Sequence, residues 1–284
     1  PCSEIHIDLT PNGDTNGSLV NSGSPLCIEI WNLVFMQFNA QPDGTFVPLK
    51  NKNIDTGMGF ERVAGIIATT KNFTDFSQLA SNYNSDLFTD IFKHITFMSG
   101  KSYAGTLPRD PRDMSAQELT DCVFRVLADH IRTLTFSIAD GIIPGNEGRN
   151  YVLRRILRRA VMYGKRLGLE RGFFSRLTEP VIKKMSPYFP ELEEQRKMIV
   201  KTIEAEETSF ARTLDRGLEL LDRITTTDGK ISGEQAFTLD DTFGFPIDLT
   251  QLIARERNMP VDLEGFEREM EKQRQRARDG QTRE

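Results

Sequence analysis

Two glycines and an adjacent acid–base pair stand out in the stretch NIDTGMGFERVAG, residues 53–65. Gly57 and Gly59 alternate, so one face of an extended strand lacks side chains and a ligand can approach the backbone closely. Arg62 follows Glu61, and its planar, permanently charged guanidinium suits a phosphate or a nucleobase. We interpret the stretch as the floor of a small-molecule site that ends in a phosphate-binding arginine. The alternative is an ordinary strand-to-helix turn.

The stretch does not match the common phosphate-binding loops. A dinucleotide-binding fingerprint requires a third glycine where Arg62 stands, and a P-loop requires Gly-Lys-Ser/Thr. The pattern instead predicts a strand that carries Asp55, Gly57 and Gly59, followed by a helix that begins near Glu61.

Two polar residues lie in predicted strands that are otherwise mostly apolar. Asn32 alternates with aliphatic residues, and Asp55 stands two residues before Gly57. A buried amide or carboxylate without a partner costs about 1–3 kcal/mol, so both side chains need a hydrogen-bond partner. Loop backbone within the protein would satisfy them, and so would the ammonium group of a ligand.

A concentrated block of positive charge contrasts with the acidic chain, whose formal net charge is −5. Residues 149–176 contain nine Arg or Lys residues and one acid, Glu170. On a helical wheel one face of this block is apolar, and the opposite face is basic. The basic face consists of Arg154, Arg155, Arg158, Arg159, Lys165 and Arg166. An ordinary solvated face mixes the signs of its charges, so we predict that a nucleic acid or another polyanion binds here.

Length and composition indicate an ordinary globular protein. A chain of 284 residues is long enough for one large or two medium domains. Its three cysteines are widely spaced, with no Cys-x-x-Cys or His-x-x-x-His pattern, so we expect neither a disulfide framework nor a zinc site. No apolar run of about 18 residues and no signal peptide are present, so we expect a cytoplasmic protein without a membrane role.

The periodicity changes from strands to helices along the chain. Residues 4–9 alternate, and residues 28–38 are apolar on both faces, as in a central strand buried on both sides. A turn at 41–44 and a returning strand at 45–49 follow. The boundary with the helical part falls between residues 80 and 112.

Helix signals continue from about residue 72. Ser115 and Glu118 form a capping-box signature, and Gly141 ends the helix that they begin. Apolar residues between Glu191 and Ile224 predict a narrow seam against a neighbouring helix. Two shorter helices are predicted at residues 247–257 and 262–278.

Five segments together resemble the alanyl-tRNA synthetases. In chain order they are PCSEIHID, EIWNLVFMQFN, NIDTGMGFERVAG, LADHIRTLTFSIADGIIPGNEGRNYVLRRILRRAV and DDTFGFPIDLT. In this family the third segment corresponds to motif 3 of class II synthetases. The resemblance implies an α+β fold. Residues 1–100 would be the later part of the class II aminoacylation domain, an antiparallel sheet with flanking helices. Residues 101–284 would be an all-α domain that recognises the tRNA acceptor stem.

The resemblance also implies the reaction, in which alanine is activated with ATP and Mg²⁺ and then transferred to tRNA(Ala). Asn32 and Asp55 match the residues that hold the amino group of alanine. Gly57 and Gly59 would shape a pocket for its methyl side chain. Arg62, the motif 3 arginine, would contact ATP and stabilise the charge that builds on the phosphates. We expect Arg62 and Asp55 to be the catalytic residues, with Glu61 beside the ATP site.

For the RNA, the resemblance assigns Asn146 and Asp241 to the G·U wobble pair of the acceptor stem. An amide and a carboxylate suit this task, because a guanine amino group in the shallow minor groove requires hydrogen-bond acceptors. Without the resemblance, Asn146 as a turn residue and Asp241 as a helix cap are equally good interpretations. The cations expected to bind tRNA are Arg149, Arg154, Arg155, Arg158, Arg159 and Lys165.

The alternative function is a non-catalytic tRNA- or RNA-binding module derived from the same fold. The stretch DTGMGFER argues against it, because a pure RNA binder does not need an aminoacyl site. Class II motifs 1 and 2 do not occur in these residues, so we expect the chain alone to activate alanine weakly or not at all.

Overall fold

The computed structural model describes residues 1–108, 110, 113–227 and 229–281. The chain divides into two compact units, Pro1–Asp90 and Ile91–Glu284. We describe each unit by itself.

A three-stranded antiparallel sheet forms the core of the first unit. Strands β1 (Cys2–Asp8), β2 (Cys27–Ala40) and β3 (Phe46–Met58) lie in the order β1-β2-β3. The predicted strands are therefore present, and β2 is the central one. Strand β3 is longer than the predicted returning strand, because it continues through Asp55 and Gly57 to Met58.

The expectation that β2 is buried on both sides was wrong. Val34, Met36 and Phe38 are 40%, 40% and 51% exposed. Neighbouring strands meet through their backbone hydrogen bonds, so strand pairing alone buries little side-chain surface. Burial of a sheet face requires a second layer packed on it.

Helix α1 (Phe60–Thr69) begins directly after the sheet, with Gly59 as its N-cap. Gly65 lets this helix approach the chain that returns beside it, because a Cβ there would lie 2.6 Å from the carbonyl oxygen of Ser81. A 3-10 turn (Asn82–Asn84) leads into helix α2 (Asp86–Ser99), within which the division between the two units falls. The close approach of α1 fixes the helix turn that carries Arg62.

The described part of the second unit is helical beyond α2, which confirms the α+β fold class. In chain order the helices are α3 (Ala116–Ala139), α4 (Gly148–Arg166), α5 (Phe173–Arg176), α6 (Thr178–Met185), α7 (Glu191–Glu194), α8 (Arg196–Thr227), α9 (Gly233–Asp241), α10 (Ile247–Glu256) and α11 (Leu263–Gln281). Ser115 and Glu118 form the predicted capping box of α3, and Gly141 follows its end with φ +85°.

The predicted seam lies on α8, which packs against α3, α4 and α5. Its apolar residues are buried: Ile199, Ile203, Phe210, Leu214 and Leu221. The predicted segment is divided in two, because α7 ends before Gln195 and α8 begins after it. Helix α9 was not predicted, although Ser232 and Gln235 form a capping box at its start.

A buried carboxylate ties the segment before α3 to that helix. Asp121 is fully buried and accepts hydrogen bonds from the backbone N–H groups of Ala104 (2.9 Å) and Thr106 (2.6 Å). The Thr106 hydroxyl (2.7 Å) and the Gln117 amide (2.8 Å) donate to it as well. Burial raises the pKa of Asp121, but these hydrogen bonds outweigh it and hold the pKa below its ordinary value.

We expect Asp121→Asn to lower the free energy of unfolding by about 1–3 kcal/mol at neutral pH, because an amide NH₂ would face backbone donors. The pKa of Asp121 is lower in the folded protein than in the unfolded chain. The stability that the ionised carboxylate adds is therefore complete above the unfolded pKa of about 4, and it is lost as the pH falls through the folded pKa. Urea unfolding at neutral pH and at about pH 3 measures both effects.

The matched control is Asp113→Asn, an exposed carboxylate in the segment before α3. Its effect should stay within about 0.5 kcal/mol at both pH values. A stability difference for Asp121→Asn that is equal at the two pH values would contradict the role of its charge.

Candidate functional site

The strand register gathers three of the predicted site residues on one face of the sheet. Asn32 pairs with Gly57, and Val34 pairs with Asp55. Directly paired residues of antiparallel strands share a face, so Asn32, Asp55 and Gly57 are neighbours. A Cβ at Gly57 would meet nothing within 4 Å, so the space beside Asn32 is open.

Glu4 joins this face from β1, where it pairs with Asn32 on the side away from Gly57. The Asn32 Nδ2 atom donates to Glu4 Oε1 at 3.3 Å. A carboxylate only accepts hydrogen bonds, so it takes the NH₂ end of the amide and leaves Asn32 Oδ1 without a donor among the described residues. Sequence analysis missed Glu4, because only the register shows which strand residue lies opposite Asn32.

Gly59 lies at the end of the sheet and has a different role from Gly57. Its N–H donates to the carbonyl oxygen of Ile30 at 2.8 Å, and it caps α1. A Cβ at Gly59 would lie 3.1 Å from Cδ of Arg62, so the glycine allows the arginine to fold back over the turn. Gly57 therefore leaves open space on the sheet face, whereas the missing side chain of Gly59 makes room for the side chain of Arg62.

The backbone of β2 anchors Arg62. Its Nη1 atom donates to the carbonyl oxygen of Glu29 at 2.7 Å and lies 3.7 Å from the carboxylate Oε2 of the same residue. The side chain is 49% exposed, so much of the guanidinium is accessible to a ligand. Glu61 lies beside it in the first turn of α1, where a carboxylate suits the helix dipole.

The basic residues of α4 are paired with acids, although no acid is interleaved among them in the sequence. Each acid comes from a helix distant in sequence. The pairs are Arg154 and Arg158 with Glu206 on α8 (3.1 and 3.0 Å), Arg155 and Arg159 with Asp248 on α10 (3.2 and 2.8 Å), Lys165 with Asp215 on α8, and Arg166 with Glu256 on α10 (2.7 Å). Periodicity describes one helix at a time and therefore could not reveal these partners.

Glu206 and Asp248 each compensate two arginines, so each cluster keeps a net positive charge. Arg149, at the start of α4, is exposed and has no ion pair with any described residue. The face is therefore a partly neutralised basic surface and not a row of isolated cations.

The two residues predicted to recognise the base pair each accept a hydrogen bond from another side chain of the protein. Asn146 precedes α4, and its Oδ1 accepts from Nη1 of Arg154. Asp241 is the last residue of α9, and its Oδ1 accepts from the amide of Gln273 on α11. Both side chains are exposed, so they combine solvent access with a fixed partner.

The alternative interpretation of Asp241 as the cap of the following helix was wrong. Helix α10 begins at Ile247, and the carboxylate that accepts the Ile247 N–H, at 3.1 Å, belongs to Asp240. Burial raises the pKa of Asp240, against the lowering effect of this hydrogen bond and of Arg158. Asp240, and not Asp241, therefore accepts the hydrogen bond at the start of α10, and Asp241 is exposed to solvent.

The family model described as tRNA synthetases class II (A) matches residues 1–284, the whole chain. The chain belongs to this family. The resemblance found in the sequence is thereby confirmed.

Relatives with the name alanine–tRNA ligase are similar along the whole chain. The chain is 53% identical over 284 residues to that of Akkermansia muciniphila, 49% over 311 residues to that of Opitutus terrae and 48% over 283 residues to that of Methylacidiphilum infernorum. The alignments cover 98%, 100% and 98% of this chain but 30%, 33% and 31% of the relatives. The chain therefore spans about a third of their length.

Among the described residues of this synthetase-family chain, no three His, Cys, Asp or Glu side chains are grouped so that they could hold a metal ion. A bilayer-spanning helix is likewise absent from the described ranges, where none combines the required length and apolar character.

His130 on α3 is a half-buried histidine of the helical unit. Its Nε2 atom is buried and has no hydrogen-bond partner among the described residues. Burial, and then the positive charge of Arg159, lower the pKa of His130 to about 4. This supports the structural role that its position in the middle of a helix suggests.

We expect His130→Gln to remove a pH-dependent loss of stability. The folded pKa of about 4 lies below the unfolded value of about 6.5, so the unfolded chain binds the proton first as the pH falls. Wild-type stability should fall relative to the variant by about 1–3 kcal/mol between these pH values. Urea unfolding across that range measures the difference, and His94→Gln, at an exposed histidine, is the control. A constant difference would refute the buried neutral state.

Proposed function

We propose that this chain supplies part of the aminoacylation site and the acceptor-stem recognition domain of an alanine–tRNA ligase. In the reaction, alanine and ATP form alanyl-adenylate and pyrophosphate, and the alanyl group is then transferred to the terminal ribose of tRNA(Ala) with release of AMP. The observation that supports it best is the grouping of Asn32, Asp55 and Gly57 on one sheet face. We assign the catalytic part to residues 1–100 and RNA recognition to residues 101–284.

On the sheet face, the chain's own residues hold the amino acid. The Asp55 carboxylate and the Asn32 carbonyl oxygen accept hydrogen bonds from the alanine ammonium. Gly57 leaves room for the substrate, and Gly59 allows the Arg62 side chain to lie against the turn at the end of β3. The two glycines would shape the part of the site that receives the methyl side chain of alanine.

Arg62 binds ATP, with Glu61 beside it. When a carboxylate oxygen of alanine attacks the α-phosphorus, pyrophosphate leaves, and negative charge builds on the oxygens of both groups. A half-exposed guanidinium held by the Glu29 carbonyl is a fixed cation that stabilises this charge. When bound with ATP, Mg²⁺ would supply further charge compensation at the phosphates.

In the helical unit, the Asn146 and Asp241 oxygens are acceptors for the guanine amino group of the G·U pair. Arg149 is exposed, and Arg155, Arg159 and Lys165 are each more than a third exposed, so they contact phosphates. Arg154 and Arg158 are less exposed and contribute positive charge from behind this surface.

We expect the chain to bind an acceptor-stem hairpin with G·U at least about tenfold more tightly than the G·C hairpin, a difference of ~1.4 kcal/mol. Asn146→Ala and Asp241→Ala should each reduce this ratio, because each removes an acceptor. Fluorescence anisotropy at one fixed salt concentration measures it. Affinity for both hairpins should fall steeply with salt, since about 4–6 phosphates are contacted.

Glu219→Ala is the control, an exposed acid on α8 that the proposal does not use. It should leave the ratio unchanged. Equal binding of the two hairpins by the wild type would refute the recognition roles of Asn146 and Asp241.

We expect Gly57→Ala to weaken ligand binding without lowering the stability of the fold. A Cβ at this position meets nothing within 4 Å, and the lower entropy of the unfolded chain should keep stability unchanged or raise it by about 0.4–1 kcal/mol. The methyl group would fill the floor, so affinity for a stable sulfamate analogue of alanyl-adenylate should fall at least about tenfold. Isothermal titration calorimetry measures this affinity.

The control is Thr56→Ala, because Thr56 pairs with Leu33 and lies on the opposite sheet face. It should bind the analogue as the wild type does. A complete gene product that selects the G·U hairpin but makes no alanyl-adenylate would instead favour the non-catalytic RNA-binding module.

A further inference from the structure

One carboxylate oxygen on α8 holds two arginines of α4. Glu206 Oε1 lies 3.0 Å from Nε of Arg158 and 3.1 Å from Nε of Arg154. The Glu206 side chain is only 11% exposed. The two arginines are one helical turn apart, so this oxygen also compensates their mutual repulsion.

The two contacts differ in quality. Arg158 Nε donates a well-aligned hydrogen bond to Glu206. The Arg154 Nε atom is close enough for an ion pair, yet its N–H is not aligned with the oxygen and has no hydrogen-bond partner among the described residues. Glu206 therefore holds Arg158 through an aligned hydrogen bond and Arg154 through the attraction of opposite charges.

Each arginine reaches onward to a loop. Arg154 donates to Oδ1 of Asn146 in the loop before α4. Arg158 donates to the carbonyl oxygen of Gly244, in the loop that follows Asp241. The Arg158 guanidinium also lies over the ring of Phe210, 5.2 Å from its centre, which restricts its movement.

Gly244 is adapted to this contact in two ways. Its φ of +59° lies in the left-handed region, which favours glycine. A Cβ there would lie 2.7 Å from Nη1 of Arg158. A side chain at this position would strain the backbone and displace the Arg158 guanidinium.

We propose that Glu206 is a positioning residue for selection of the G·U pair. Through Arg154 and Arg158 it fixes the loop that carries Asn146 relative to the loop that follows Asp241. This role rests on the proposed recognition of G·U by these two residues. Glu206 itself touches neither base nor phosphate, so its removal should change selectivity without weakening the general attraction for RNA.

The test is Glu206→Gln in the 284-residue chain, with the G·U and G·C hairpins at one salt concentration. Glutamine keeps the size of the side chain and removes its charge. We expect the preference for G·U to fall at least about fivefold, while the G·C hairpin binds equally or more tightly because two arginines lose their counter-charge. Merely structural damage would weaken both hairpins together.

Asp215→Asn is the matched control. Asp215 also lies on α8 and pairs with two cations, Lys165 and Arg171, but neither contacts Asn146 or Gly244. This variant should leave the G·U preference unchanged. An equal loss of preference in Asp215→Asn would assign the effect to net charge and overturn the proposal.

Gly244→Ala disturbs the same connection from the loop side and should also reduce the preference. If circular dichroism shows that Glu206→Gln does not fold, Gly244→Ala serves as the test of the positioning role instead. If Asn146→Ala loses selectivity while Glu206→Gln, or in its place Gly244→Ala, keeps it, the positioning role is wrong and the proposed function stands. If the wild type shows no preference, the proposed recognition of G·U fails first, and this role fails with it.

Discussion

The pairing of α4 arginines with acids on α8 and α10 is the interaction on which the helical unit depends. One face of α4 is buried through Leu153, Leu157 and Ala160, and its arginines reach acids on the neighbouring helices α8 and α10. Arginines brought there without counter-charges would repel each other and lose hydration. Glu206 and Asp248, each shared by two arginines, prevent this and connect helices that are distant in sequence.

Shared acids also change what a basic surface can do. A freely solvated cation binds any phosphate, and its flexible side chain loses entropy when it does so. An arginine already held by a carboxylate has lost that entropy during folding and presents its remaining donors in one direction. Partial neutralisation thus lowers non-specific attraction and increases geometric selectivity. The proposed selection of one base pair within a uniformly charged stem would benefit from this gain in geometric selectivity.

Local patterns predicted the elements well, and they failed where distant residues meet. The capping box at Ser115, the seam on α8 and the strand of residues 28–38 each depend on neighbours in the sequence, and all are present. Glu4, Glu206 and Asp248 escaped notice because their partners come from other strands or helices. The exposed face of β2 was mispredicted for the same reason, since apolar residues show what a face can bury but not what covers it.

Two asparagines illustrate how position selects the chemistry of one side chain. Asn32 donates its NH₂ group to Glu4, which leaves its carbonyl oxygen for a ligand. Asn146 is oriented the other way, because its carbonyl oxygen accepts from Arg154. An amide oxygen has two lone pairs, so a second donor can still bind there, and the cation that holds it makes the contact directional. Recognition of a guanine amino group by Asn146 therefore requires that Arg154 and the base share one oxygen, which only a firmly held arginine permits.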